Sequence, residues 1–394
     1  MIVKRENGPS VKEPVKSVCL VTTSPLIVNF FLRPYIASLK REYRVSLVVN
    51  LHGSVPLPED LGAEVIPVSI ERKIAPWRDL VALIEMVRLF RERRFDVVHS
   101  MSPKAGLLAM VAARIARVPV RVHTFTGQVW VTRSGMMRFL LRTTDKLIAM
   151  FSTHLLADSQ SQKQMLIESG IVRRAEKCQV LGSGSVSGVD PLRFRPDPAV
   201  RSVVRRELSV PEDALVFLFL GRVTREKGVL DLAPAFGRVA TIHRDIVLMI
   251  VGPDEDNLRL DIVSRAGSGR VIFIDYTSAP ERYVAAADVL CLPSYREGFG
   301  TAIIEAAAAG VPAIASRIYG ISDAVVEGET GLLHAPGALD DIAAAMERLI
   351  EEPALRARLA HRARERAIAE FTEERVANAL LEWYRGTDAH GVGQ

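Results

Sequence analysis

The stretch "VLCLPSYREGFGTAIIEAAAAGVPAIAS", residues 289–316, decides how this chain is read. Its first residues, "VLCLPS", form a short apolar run of the kind that makes a strand buried on both faces. A turn holding Gly298 and Gly300 follows. The alanine-rich run from about Thr301 to Gly310 reads as a helix, and "PAIAS" as the next strand. Strand, glycine turn, helix and strand make a parallel β/α unit. Two carboxylates bracket the turn: Glu297 stands before it and Glu305 about one turn inside the helix.

The same alternation extends in both directions. Upstream, "SVCLVTT" (17–23), "RVSLVVN" (44–50), "AEVIPVSI" (63–70), "FDVVHS" (95–100), "VRVHTFT" (120–126) and "THLLADS" (153–159) read as strands between amphipathic helices. A Pro- and Gly-rich stretch, "LGSGSVSGVDPLRFRPDP" (181–198), interrupts the pattern. It restarts with "ALVFLFLGRV", "IVLMIVG", "RVIFID" and "VLCLPS" as strands. The reading is α/β, with two Rossmann-like domains of parallel sheet facing across a cleft: 1–190 and 191–371. The charged segment from "ALRARLAH" to "LLEWYRG" reads as helical. Its last part, 372–394, has no strand to follow and is expected to pack back on the first domain through Trp383 and Tyr384. Ligands of such sheets sit at the carboxyl ends of the strands.

Composition narrows the class. The chain has 394 residues, 48% hydrophobic and 25% charged, which is ordinary for globular domains with full cores. Cys19, Cys178 and Cys291 are far apart and form no CxxC pair, so neither a disulfide framework nor a zinc knuckle is expected. The polar start "MIVKRENGPSVKEP" has no apolar core of a secretory signal, which points to the cytoplasm. Residues 1–190 hold 27 Lys and Arg against 16 Asp and Glu, while the rest holds 24 against 30. A basic first half suggests an anionic partner or surface. Nucleic acid is not expected, because aromatics are only 6% and no nucleic-acid motif appears.

Two constellations carry chemistry. At the turn, the free N–H groups of Gly298, Phe299, Gly300 and Thr301 make a cradle for phosphate or sugar oxygens, with Glu297 and Glu305 on either side. In "FLGRVTREKGVLDL" (219–232), an apolar strand ends at Gly221, and Arg222 and Lys227 stand in the loop beyond. A guanidinium and an ammonium together suit a diphosphate. A solvated basic loop and a surface acid are the bland readings; the shared position at strand ends favours the functional one. "GPDEDN" (252–257) contains a DxD but reads as an acidic surface loop, with no metal implied. "GSGSVSG" (182–188) has Ser187 where a dinucleotide fingerprint needs its third glycine.

These residues resemble a known family. "EGFGTAIIEAAAAGVP" matches the E-x7-E signature of retaining glycosyltransferases of family 4, which have the GT-B fold, and "GRVTREKG" resembles their diphosphate loop. "ADSQSQKQMLIESGI" and "GSGSVSGVD" are similar to further segments of it. The resemblance implies that Arg222 and Lys227, after Gly221, hold the donor diphosphate. It puts Glu305 on the ribose, and Glu297 on the transferred sugar with the amides of Gly298, Phe299 and Gly300; Thr301 reaches the phosphate. It also implies that His123, at the end of its strand, contacts the donor sugar, although Thr124 stands where some relatives have an acid. No cofactor beyond a nucleotide-sugar, a UDP-sugar with an N-acetylated hexosamine, is implied.

"TGQVWVTRSG" is similar to the acceptor-side loop of bacterial polysaccharide-assembly members, which makes Trp130 and Arg133 acceptor candidates for a saccharide or polyprenyl-diphosphate-linked substrate. "VTRSGMMRFLLRTTDKLIAMF" (131–151) sets Arg133, Arg138, Arg142 and Lys146 beside an apolar face. Such a helix either lies on anionic lipid at the inner face of the membrane or docks on its own sheet. Two rival readings share the architecture: a non-hydrolysing UDP-sugar epimerase, and a catalytically silent nucleotide-sugar or membrane-binding module.

Overall fold

The structure, a computed structural model, describes residues 16–52, 56–71 and 75–390; the polar N-terminal stretch and the last four residues lie outside them. Thirteen strands are found among the described residues. Those of the first sheet are β1 (Ser17–Thr22), β2 (Arg44–Val49), β3 (Glu64–Pro67), β4 (Val97–Met101), β5 (Val120–Phe125), β6 (His154–Ala157) and β7 (Cys178–Val180). Those of the second are β8 (Leu215–Leu220), β9 (Ile246–Val251), β10 (Arg270–Ile274), β11 (Val289–Leu292), β12 (Ala313–Ser316) and β13 (Gly331–His334).

Both sheets are wholly parallel. Their orders are β3-β2-β1-β4-β5-β6-β7 and β10-β9-β8-β11-β12-β13. "LVFLFL" and "IVLMIV" are apolar without alternation because helices cover both faces of the sheet. Strand order reverses direction between β1 and β4, and again between β8 and β11. At such a switch point the crossover helices diverge to opposite faces and leave a crevice at the carboxyl ends. The second switch point lies between Gly221, just after β8, and Ser294, just after β11.

β7, β13 and the helices Arg259–Ala266 and Leu339–Glu351 were not legible as separate elements. The charged C-terminal segment is two helices, Pro353–Glu370 and Glu373–His390, and not one. They part at Phe371–Thr372, where the chain lies beside the linker: the Val189 N–H donates to the Phe371 carbonyl at 2.8 Å, and the Glu373 N–H to that of Val189 at 3.0 Å. Both passages between the two sheets are therefore hydrogen-bonded to each other.

The helix Glu373–His390 leaves the second sheet and buries Val376, Leu380 and Tyr384 in the core around Val18, Leu20 and Leu47 of the first. Trp383 donates its indole N–H to Gln179 Oε1 at 2.6 Å. Tyr384 is 1% exposed, and its hydroxyl lies 2.8 Å from His99 Nδ1. Burial of a ring of this size gives the helix its main hold. Replacing Tyr384 by Ala should cost about 3–5 kcal/mol, and by Phe about 1–3 kcal/mol through the buried His99 Nδ1 that loses its hydroxyl partner. Denaturant unfolding followed by circular dichroism reads both; an unchanged midpoint in Tyr384→Ala would mean that the helix is not docked.

Candidate functional site

The site is built where β8 and β11 end. Gly221 follows β8 at φ 149°, and a Cβ on Gly252, beyond β9, would stand 2.0 Å from the Gly221 carbonyl oxygen. Only glycine lets these strand ends pass so closely. The loop then turns through Arg225–Lys227 and leaves at Gly228, φ 71°, where a Cβ would meet the Pro293 carbonyl oxygen at 1.9 Å. The loop is thus pressed onto the end of β11.

That contact brings Lys227 to Glu297. The ammonium is ion-paired with Glu297 Oε1, to which the Ser294 hydroxyl also donates at 2.9 Å. Both side chains are largely shielded from water. Arg222, from the same loop, turns outward and pairs with Glu255 Oε2 at 2.6 Å. The acidic "GPDEDN" loop does more than cover surface. Asp254 accepts from the N–H groups of Leu258 and Arg259, and Asp256 from that of Arg225, so the loop braces the Arg222–Lys227 segment. No group of three or more metal-ligating side chains is found among the described residues.

The turn after Glu297 is open on its backbone side. The N–H groups of Gly298, Phe299 and Gly300 donate to no acceptor among the described residues. Gly300 takes φ 85° and starts the helix Thr301–Ala308, whose positive end therefore lies at the turn. Phe299 gives only its backbone, because its ring is buried against Phe371 at 5.2 Å. Glu305 lies further along the helix, facing Arg193, Glu281 and Glu373. Burial pushes its carboxyl up to about 7; Arg193 pulls it down, and the two acids push it further up.

The first domain closes over this turn. A Cβ on Gly298 would stand 2.5 Å from Asp158 Oδ2 and 3.0 Å from the Gly127 nitrogen. Ser159 donates to the Gly298 carbonyl at 3.4 Å, and the Gln128 N–H to the Tyr319 hydroxyl at 3.3 Å. Asp323 accepts from the N–H groups of Gln160 and Ser161. Arg133 joins Glu226 at 3.0 Å, and Arg296 joins the other oxygen of Glu226 at 2.7 Å. Asp158 is buried, with Oδ1 unpartnered, and burial raises its carboxyl well above the usual range. None of Gly127, Asp158, Glu226 or Arg296 was singled out from the sequence. Of these, Gly127 alone carried a signal, as a point of close backbone approach.

Two residues expected at the site are elsewhere. His123 is inside β5 and not at its end. It is 1% exposed, its Nδ1 lies 2.8 Å from the Ser100 hydroxyl, and its ring fills the space a Cβ on Gly106 would need. Burial pushes it down to about 3, so it is neutral, and it does not reach the cleft. The strand reaches the cleft at Thr126–Gly127–Gln128. Trp130 is equally enclosed: its indole N–H donates to Asp145 Oδ2 at 2.8 Å, and Arg138 and Arg142 lie over its ring. It cannot touch an acceptor without leaving the core. Gly221, Arg222, Lys227, Glu297–Thr301 and Glu305 share one edge of the second sheet, and Arg133 stands on the facing rim.

Two wholly parallel sheets, each with a switch point, and a strand edge of the second covered by the first domain make a GT-B architecture. Family models agree. Residues 200–366 match glycosyl transferases group 1, and residues 28–184 a glycosyl transferase 4-like domain. The chain is 31% identical over 325 residues to the capsular polysaccharide biosynthesis glycosyltransferase CapM of Staphylococcus aureus, covering 82% of this chain and 84% of that protein. It is 26% identical to the Escherichia coli UDP-Gal:alpha-D-GlcNAc-diphosphoundecaprenol alpha-1,3-galactosyltransferase, covering 80% and 82%. Anabaena HepE, solved with UDP-glucose, superposes with a TM-score of 0.77 at 20% identity, covering 94% and 99%. The chain belongs to the group 1 glycosyltransferases, of the GT4 type.

The Glu305 environment has a pH consequence. Its native carboxyl titrates near 7, above the usual value of 4.5, so the native state binds a proton that the unfolded chain releases. Stability on this account is full below about pH 4.5 and falls as pH rises towards 7. Glu305→Gln removes the loss. The variant should match the wild type near pH 4 and exceed it by about 1–3 kcal/mol at pH 8. Thermal unfolding at the two pH values measures this; an equal difference at both would place Glu305 in water.

Proposed function

We propose that the protein transfers a sugar, with retention at the anomeric carbon, from a UDP-sugar to a lipid-diphosphate-linked saccharide in cell-surface polysaccharide assembly. One observation carries the reading: the unaccepted amides of Gly298, Phe299 and Gly300 lie between Glu297, held by Lys227, and the helix that bears Glu305. Such an array suits a nucleoside diphosphate whose ribose and sugar lie on opposite sides of the phosphates. UDP is favoured by the ligand of HepE and by the name of the galactosyltransferase, and that name also carries a diphosphoundecaprenol acceptor. An N-acetylated hexosamine, suggested by the sequence resemblance, heads the candidate donors.

In this reading Lys227, Arg222 and the start of the helix at Thr301 stabilise the charge that grows on the leaving diphosphate. Arg222 exchanges Glu255 for phosphate. Glu305 accepts from ribose hydroxyls, and Glu297 orients the sugar. The acceptor hydroxyl attacks from the face the diphosphate leaves, and a phosphate oxygen takes its proton. Enclosure by Gly127 and Asp158 keeps water from the sugar.

The test is a panel of UDP-hexosamines, UDP-glucose and UDP-galactose incubated with bacterial lipid extract, scored by UDP release. Arg222→Ala should lower kcat by about 10²–10³-fold, and Glu305→Ala should raise the donor KM. Unchanged kinetics in both would remove the site assignment.

The same reading places the protein on an anionic membrane. The helix Gly135–Phe151 buries Asp145, Ile148 and Ala149 yet leaves Met136, Phe139, Leu140 and Met150 exposed beside Arg138. It therefore docks on its sheet and still presents an apolar face. The helix Pro76–Arg93 exposes Trp77, Leu80, Val81 and Ile84 at its own start. No helix among the described residues is long and apolar enough to cross a membrane. Contact through these faces is basic and apolar, and should favour anionic lipid. Sedimentation with vesicles should show binding to phosphatidylglycerol over phosphatidylcholine, weakened about tenfold or more by Phe139→Asp with Trp77→Ala; equal binding of the variant would refute the surface.

A further inference from the structure

We infer that Glu226 is a positioning residue whose carboxylate ties the first domain's 127–133 segment to the donor turn and so sets the closed geometry for transfer. The inference rests on the donor site proposed above.

Glu226 precedes Lys227, and the two side chains divide the work. Lys227 pairs with Glu297 inside the second domain. Glu226 faces the first domain. Its Oε1 accepts from the Thr132 hydroxyl at 2.9 Å and from Arg133 Nη2 at 3.0 Å. Its Oε2 accepts from Arg296 Nη2 at 2.7 Å. Arg296 in turn donates through Nη1 to the Gly127 carbonyl at 3.3 Å. The main chain is registered as well, since the Tyr295 N–H donates to the Glu226 carbonyl at 2.9 Å. One carboxylate thus links three partners, Thr132 and Arg133 in the first domain and Arg296 in the second.

Burial alone would raise the Glu226 carboxyl, but Arg296, Thr132 and Arg133 hold it below the usual range, so it stays ionised when enclosed. Arg296 Nε is buried with no acceptor. Moving the 127–133 segment away would strip Arg296 of its Gly127 bond and Glu226 of two of its three side-chain donors. The intermediate positions are therefore poorly paired, and the pairing favours a fully seated segment. The seated segment puts Gly127 against Gly298, directly over the amides that face the donor. Glu226 touches no reacting atom in this scheme; it acts through the position of that segment.

The test uses the full chain with Glu226→Ala, Arg133→Ala, the double variant and Arg133→Lys. X-ray scattering of the ligand-free protein reads closure directly. Both single variants should show a larger radius of gyration than the wild type, and the double variant no more than either. With UDP as probe, the dissociation constant should stay within about twofold, while kcat for transfer falls about tenfold and donor hydrolysis rises relative to transfer. Arg133→Lys should regain most of the lost rate. An unchanged radius in both single variants, rate losses that multiply in the double variant, or loss of UDP affinity in step with kcat would each overturn the inference. Should the wild type release no UDP from any donor, the donor reading fails, and the scattering result still decides whether Glu226 holds the domains.

Discussion

The site depends on one close approach: the backbone of Gly298 meets that of Gly127 with no room for a side chain on Gly298. Everything around it serves that contact. The glycine at 298 lets Asp158 and Ser159 lie against the turn. The glycine at 320, φ 83°, lets the segment beyond β12 pass the Gly298 carbonyl, 2.4 Å from where its Cβ would be. A methyl group at Gly298 would hold the sheets apart, and one at Gly320 would push the turn itself out of place, so that its amides would face open water instead of a lined crevice.

The charges around the turn are matched in pairs. Lys227 has Glu297, Arg222 has Glu255, and Arg296 has Glu226. A basic cleft would attract any polyanion; a neutralised one discriminates by geometry. An incoming diphosphate must offer each cation a better-placed oxygen than its resident carboxylate does. The cost is modest at Arg222, whose pair is well exposed, and greater at Lys227, whose pair is shielded.

Much of the second domain was legible because its strands are unbroken apolar runs, and β8 and β9 are each followed by a glycine, Gly221 and Gly252. Gly221, Lys227, Glu297 and Glu305 fall together because strand ends on one side of a parallel sheet share an edge. The first domain was read less well at the site. The family resemblance put His123 at its strand end; the strand runs two residues further, to Phe125, and the imidazole packs against the helix at Gly106. Trp130 was an acceptor candidate because "TGQVWVTRSG" is similar to an acceptor-side loop, yet Asp145, fifteen residues on, supplies its partner inside the core. Glu226 and Arg296 were invisible for a different reason. Their roles exist only across the cleft, and no periodicity in one domain reports what the other brings.

The pairing of Val189 with Phe371 and Glu373 joins the two halves at one place. The chain crosses from one lobe to the other twice, and both crossings sit side by side in register. A single crossing would let the lobes twist and drift; two crossings at distant points would lock them. Adjacent crossings act like the two knuckles of a door hinge, permitting swing about one line and little else. The crevice can then open and shut many times while Gly127 returns to the same place over the same three amides.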